Sequence, residues 1–379
     1  MHESEPAQGR ERERRRSRAL LVTATAACAV LLTGVIPSPY AIERPGPTVD
    51  VLGSVALEGE EPRPVIEIDG AAREAEHASG ADGADASGRG SLRLLTVSIS
   101  GSRERPKSWL SLLPGLIDPA QEIKPVDELY PEGVSEKART EQNMVLMENS
   151  QEQAAAAAFA HLGEDVPVTL TVAGIAEGSP AEGVLEEGDV LVEVAGESDF
   201  DFAQLREKIV ANGADRPLAL AVERDGARVD VELVPGVPDG GGEPMIGAVL
   251  QSEYSLPHEV DIALADIGGP SAGLVFALGI IDLMSAEAPL AGIDAAGTGT
   301  IDAAGNVGPI GGLEQKMWAA SRAGSRLFLM PVGNCVDLPE RIPGELEVVP
   351  VATLEEAVAA VETVAEGGTP AGIEACGAP

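Results

Sequence analysis

The chain turns on one stretch, which reads DIGGPSAGLVFALGIIDLM over residues 266–284, GTGTIDAAGNVGPIGG over 297–312 and LEQKMWAA over 313–320. Ser271 sits between a rigid Gly-Gly-Pro turn and a long apolar run with the character of a buried helix. Its hydroxyl is therefore expected at a helix N-terminus, where backbone N–H groups and the helix dipole stabilise an oxyanion. Forty-five residues later Lys316 opens a second short helix, after the Gly-rich turn Gly308 to Gly312. A serine beside a sequestered lysine is one way to make a nucleophile without histidine.

Composition narrows the setting. A chain of 379 residues has room for two ordinary domains plus tails. A net charge of -36 and only 3% aromatic residues argue against nucleic acid as a partner, because phosphate binding needs clustered Lys and Arg, with aromatic platforms for single strands. The four histidines, His2, His77, His161 and His258, are scattered, and the three cysteines form no CxxC, so no metal and no cofactor is expected. His258 with Asp261 and Ser271 would be the raw material of a histidine triad, but all three fall within 14 residues of one another across a strand and a turn.

Upstream, the polar tail 1–18 carries six arginines and is followed by ALLVTATAACAVLLTGVI, residues 19–36, which has no charge. Eighteen such residues are close to the minimum for crossing a hydrocarbon core of roughly 30 Å, and the basic flank keeps the N-terminal side in the cytoplasm. The expectation is a single-pass cell-membrane anchor with everything after it extracytoplasmic; a cleaved signal peptide competes less well, since PSPYAIERPGP offers no A-x-A site. Cys335 and Cys376 would then face an oxidising compartment, where they could form a disulfide tying down the C-terminal tail, 367–379. Residues 37–90 read as a Pro-rich stalk with a short apolar strand, then a Gly, Ala, Glu, Asp and Ser-rich segment from about 58 with too little apolar content to order itself. SLRLLTVSIS, 91–100, has the apolar density of a strand, SWLSLLPGLIDP that of a mobile apolar loop near the membrane, and 144–163 reads as a helix closed by Gly163.

Residues 167–236 form a block of their own. VTLTVAGI and DVLVEVAGE read as strands, FDFAQLREKIVAN as an amphipathic helix, and PLALAVERDGARVDVELVP as a hairpin turning at Asp225-Gly226. With its GSPA turn followed by GD, the block resembles a PDZ domain of the bacterial protease-associated kind, which implies that a ligand strand adds to an open sheet edge.

The block 244–366 is mixed α/β. PMIGAVLQS, EVDIALA, RLFLMP and LEVVPV read as strands, GTGTIDA and NVGPIGG as a hairpin about Ala304-Gly305, and Thr353 and Glu356 stand in capping-box spacing before a last helix. The sheet is expected beneath two or three helices. GPSAG, the TGT at 298–300 and PIGGLEQK, in this order and spacing, resemble the proteolytic domain of Lon proteases, and the helix 144–163 resembles one near the start of that domain.

The resemblance implies an α/β (α+β) Lon-type proteolytic domain split into 91–166 and 244–366 by an inserted, mostly-β PDZ domain. With the anchor 19–36 as an N-terminal transmembrane helix, the chain is similar to the membrane-anchored, PDZ-containing, ATP-independent Lon-like serine proteases of bacteria. It further implies Ser271 as nucleophile and Lys316 as general base, with Thr298 hydrogen-bonding the lysine. Gly269, Pro270, Ala272 and Gly273 support the serine, and backbone N–H groups at Ser271 and its neighbours form an oxyanion hole. Where many of the family have Asp three residues before the serine, this chain has Gly268, and its nearest acid is Asp266. No G-x-x-x-x-G-K-[ST] occurs, so no ATP-driven unfolding is expected, and the implied substrates are extended or unfolded proteins and peptides. Assembly as a homo-hexamer is implied by resemblance alone. The competing reading is a catalytically silent, membrane-anchored PDZ scaffold on a Lon-like fold.

Overall fold

The computed structural model describes residues 34–377, apart from 57–60, 72–89, 131–135, 199, 239, 265–266 and 287. The basic tail, all but the last three residues of the apolar run 19–36, all but the last residue of GADGADASGRG, and Asp266 lie outside the described residues. Among the described residues no helix is long and apolar enough to cross a membrane.

The strands are β1 Tyr40–Asp50, β2 Ile66–Ile68, β3 Ser91–Ser100, β4 Glu122–Pro125, β5 Val168–Ile175, β6 Val190–Val194, β7 Leu218–Arg224, β8 Ala227–Leu233, β9 Ala248–Tyr254, β10 Val260–Ile262, β11 Asp294–Gly297, β12 Leu327–Pro331 and β13 Glu347–Val351. The main helices are α1 Glu136–His161, α2 Phe202–Asn212, α3 Gly273–Met284, α4 Leu313–Arg322 and α5 Leu354–Ala365. A six-stranded sheet runs β13-β12-β11-β3-β1-β4, parallel from β13 to β3 and antiparallel beyond.

Side chains alternate across this sheet, as the strand period requires. Leu92, Leu94, Leu327, Leu329 and Val349 point into one core with α1, α3 and α5, while Leu95, Phe328, Met330 and Val348 pack on α4. Helix α3, apolar but for Asp282, is buried on every side, the Asp282 carboxylate accepting from the Leu290 N–H at 2.8 Å. Thr353 caps α5 as its spacing predicts, its Oγ1 accepting from the Glu356 N–H at 3.2 Å while the Glu356 carboxylate accepts from the Ala352 N–H.

Three parts of the sequence reading need correction. The Pro-rich stretch after residue 37 is no stalk: β1 pairs with both β3 and β4. Prolines normally bar a strand from a sheet interior. Here a register shift between Pro45 and Thr48 absorbs them, and Thr96 Oγ1 donates to the Pro47 carbonyl at 2.7 Å. Within the segment from 58 read as flexible, β2 is ordered and pairs with β10, with Val65 and Ile66 fully buried. Gly279 makes room for Ile66 on α3, since a Cβ there would lie 2.8 Å from Ile66 Cδ1. Three apolar residues in a polar surround suffice because they pack on α3, which is apolar at every position but Asp282. Thirdly, SWLSLLPGL is a 3-10 helix, Trp109–Leu116, rather than a mobile loop, held inward by buried Leu112.

The block expected at 167–236 is larger than that. Its five-stranded antiparallel sheet runs β8-β7-β6-β5-β9, so PMIGAVLQS, read as the first strand of the following block, instead lies beside β5. The β7–β8 hairpin does turn at Asp225 and Gly226, with φ of 53° and 76°, the left-handed pair that Asp-Gly accommodates. A core around Leu170, Val172, Leu205, Leu220 and Val222 belongs to this unit alone. Entry and exit meet where the Ser255 N–H donates to the Pro167 carbonyl at 2.9 Å.

Candidate active site

Ser271 lies in the turn that leads into α3, and Lys316 in the first turn of α4, across the sheet's C-terminal rim. Lys316 Nζ is 2.9 Å from Ser271 Oγ and 3.0 Å from Thr298 Oγ1. The Thr298 hydroxyl donates its own proton to the Ser271 carbonyl at 3.1 Å. Its oxygen can therefore only accept from the lysine, and a neutral amine held that way turns its lone pair toward the serine hydroxyl. The sequence-derived trio is thus one hydrogen-bonded unit.

Lys316 and Thr298 are buried, at 3% and 1% exposure. Burial brings the Lys316 ammonium from its ordinary 10.5 to about 7, because the charged form loses its water and gains no compensating carboxylate. A lysine in this condition is available as a base near neutral pH.

The serine turn is held from the far end of the sequence. On α1, Asn143 accepts the Gly269 N–H at 2.9 Å with its carbonyl, and Ser150 Oγ donates to the Pro270 carbonyl at 3.0 Å. The Ser271 carbonyl is held as well, accepting the Gly299 N–H at 2.9 Å. Gly273 allows this closeness, as a Cβ there would lie 2.8 Å from Ile301 Cγ2 and 2.9 Å from Ser150 Oγ. Gly268 is similarly confined: a Cβ would come 2.9 Å from Asn143 Cβ, so helix α1 occupies the space into which an acid at this position would project. The Gly269 N–H is engaged by Asn143 and Pro270 has none, so neither can donate to an oxyanion formed at Ser271.

The lysine side has its own clamp. Gly312, left-handed at φ 67°, starts α4 and accepts the Lys316 N–H at 3.0 Å. Buried Asn334 brackets Ile310, accepting its N–H at 2.9 Å and donating to its carbonyl at 2.8 Å. The next residue, Cys335, is disulfide-bonded to Cys376, with Cα atoms 5.4 Å apart.

Asn143, Ser150 and Asn334 were not singled out by sequence reasoning. Ser150 and Asn143 sit in a helix with no polar motif, and no spacing links Asn334 to Ile310. By contrast His258 stacks on Phe159, with ring centroids 5.4 Å apart, and Asp261 pairs with Arg63 at 2.6 Å, so neither serves Ser271. A cleft of about 600 Å³ includes Val97, Ser100, Lys107, Arg139 and Asn143 in its walls. Two of its walls reach the catalytic segments, Asn143 at Gly269 and Val97 against Gly312.

A buried lysine amine thus faces a serine hydroxyl at a helix start, beside an α/β sheet that is parallel from β13 to β3. Residues 263–363 match the family model of the Lon protease (S16) C-terminal proteolytic domain. Among curated relatives, Lon protease of Rhizobium meliloti is 40% identical over 94 residues, 24% of this chain and 11% of that protein. Lon protease of Escherichia coli is 36% identical over 109 residues, 28% and 13% respectively. The chain thus spans little more than a tenth of the length of these relatives. Among solved structures, the PDZ domain of an SdrC-like protein from Listeria innocua is similar at 20% identity and a TM-score of 0.20, covering 21% of this chain and 91% of that one.

Proposed function

We propose that the protein is a membrane-tethered, ATP-independent serine endopeptidase that cleaves unfolded or extended proteins outside the cytoplasm. The observation that carries this reading is the buried Lys316 amine 2.9 Å from Ser271 Oγ. As Oγ attacks the scissile carbonyl carbon, its proton passes to Nζ; the carbonyl π electrons move onto oxygen, and the Ser271 and Ala272 N–H groups receive that oxyanion. Losing one such donor typically costs about 3 to 4 kcal/mol in the transition state. Collapse of the intermediate breaks the C–N bond, and Lys316 gives its proton to the departing amine. Water then attacks the acyl-enzyme with Lys316 again as base, and the serine is restored. Thr298 orients the amine throughout.

The PDZ-like unit recruits or gates substrates through a free strand edge. The cleft between Val97 and Asn143 receives the chain to be cut. The uncharged run 19–36, behind six arginines, supports a single-pass anchor with the N-terminus inside. Absence of a P-loop signature in this sequence supports independence from ATP.

The test is digestion of an unfolded protein by the chain without nucleotide, beside Ser271→Ala and Lys316→Met. Both variants are expected to lose at least about a thousandfold in kcat while keeping their fold. Cleavage persisting in either one rules out the dyad, and a wild type inert toward unfolded proteins with and without ATP favours the silent scaffold.

A further inference from the structure

The 3-10 helix Trp109–Leu116 carries apolar side chains that stay exposed among the described residues. Leu113 is 48% exposed, Leu116 72% and, just beyond the helix, Ile117 83%; Trp109 and Leu110 add to the same patch. Apolar patches of such size on a soluble surface mark protein or membrane contacts.

Its position in the chain identifies the contact. Ile36, last residue of the uncharged run 19–36, accepts the Trp109 N–H with its carbonyl at 3.3 Å. Pro37 bridges Ser108, and the Ser38 N–H donates to the Lys107 carbonyl at 2.7 Å. The end of the run is therefore joined directly to the 3-10 helix. Four residues on, Tyr40 begins β1, the strand flanked by β3 and β4, so at most about 14 Å of extended chain separates Ile36 from the sheet. If residues 19–36 cross a bilayer, no linker lets the catalytic domain stand away from it. The Trp109 ring, edge-on to Tyr40 at 5.7 Å, has the amphipathic character found where acyl chains meet headgroups.

We infer that the face formed by Trp109, Leu110, Leu113, Leu116 and Ile117 lies in the bilayer interface, as a second membrane contact that fixes the orientation of the catalytic domain against the lipid surface. This inference rests on the membrane-anchored reading above, and the following experiment separates the two. The full chain bearing Trp318→Phe keeps Trp109 as its one tryptophan of the original two. It is reconstituted into phosphatidylcholine–phosphatidylglycerol vesicles with acyl chains brominated near the glycerol end.

Interfacial faces sit about 5–10 Å into the headgroup–acyl boundary, so Trp109 emission is expected to fall by about half relative to unbrominated vesicles. Leu116→Glu with Ile117→Glu should restore most of it. A chain that floats with vesicles while Trp109 stays unquenched and open to aqueous iodide overturns the interfacial contact but leaves the anchor. A chain in which Trp109 is unquenched, shielded from iodide and cross-linkable to a second copy assigns the face to self-association and also overturns it. A chain that does not float removes the anchored reading and this inference together.

Discussion

A lysine shut away from water with no carboxylate beside it weakens the fold at neutral pH and leaves a part of its amine unprotonated there. In the unfolded chain Lys316 holds its proton up to about pH 10.5; in the folded protein it releases it at about 7. Below pH 7 both states are protonated, and the folded one carries the whole cost of the buried charge. Between 7 and 10.5 the unfolded chain binds a proton that the folded one does not, so stability rises with pH, and above 10.5 the cost is gone. At 1.36 kcal/mol per pH unit this cost is at most about 5 kcal/mol. Lys316→Met removes it while giving up two hydrogen bonds of about 1 kcal/mol each, for a net gain of roughly 3 kcal/mol near pH 6 that fades toward pH 10. Urea unfolding at pH 6, 8 and 10 measures this, and an equal effect at all three would contradict a buried, shifted lysine. In the wild type, kcat/KM should climb with pH through a midpoint near 7 as the base is freed.

At the scale of elements, helix α1 holds the catalytic turn although it precedes it by more than a hundred residues. Ser150 spans 120 positions to reach Pro270. Ser150→Ala removes the donor from the partly buried Pro270 carbonyl, a loss of about 1 kcal/mol that falls on the geometry of the nucleophile. We expect kcat to fall about tenfold with the pH midpoint unmoved, because the lysine keeps its surroundings. Unchanged peptidase kinetics in this variant would show that the turn holds itself without the clamp.

For the whole molecule, the inserted β unit enters at Pro167 and leaves at Ser255, two points joined by a hydrogen bond, and it has its own core. Replacing 168–254 by a few glycines should leave a folded catalytic unit that hydrolyses a short peptide at a rate within about threefold of the parent, since adjacent ends cost little loop entropy to close. Selectivity among protein substrates should change. Circular dichroism and peptide hydrolysis together decide this: an unfolded product would mean that the inserted unit is needed to hold α1 in place. A cut ending at 236, by contrast, would strand β9 without β5.

The sequence by itself determined the serine turn, the apolar helix after it, the lysine helix, the Asp-Gly hairpin and the capped last helix. Each of these rests on contacts within a few residues: turn chemistry, helical period, a cap. It also placed Ser271, Thr298 and Lys316 together, through their order in a resembling family. What the tertiary structure decided lies in partners far apart in the chain. Prolines 45 and 47 look like a stalk until a register shift fits them beside β3, past the end of the pairing with β4. Val65 and Ile66 look too few to order until α3 covers them. Strand β9 could belong to either unit until β5 pairs with it. The depressed lysine is of the same kind, because its pKa is set by how completely distant segments exclude water, a quantity that no local spacing encodes.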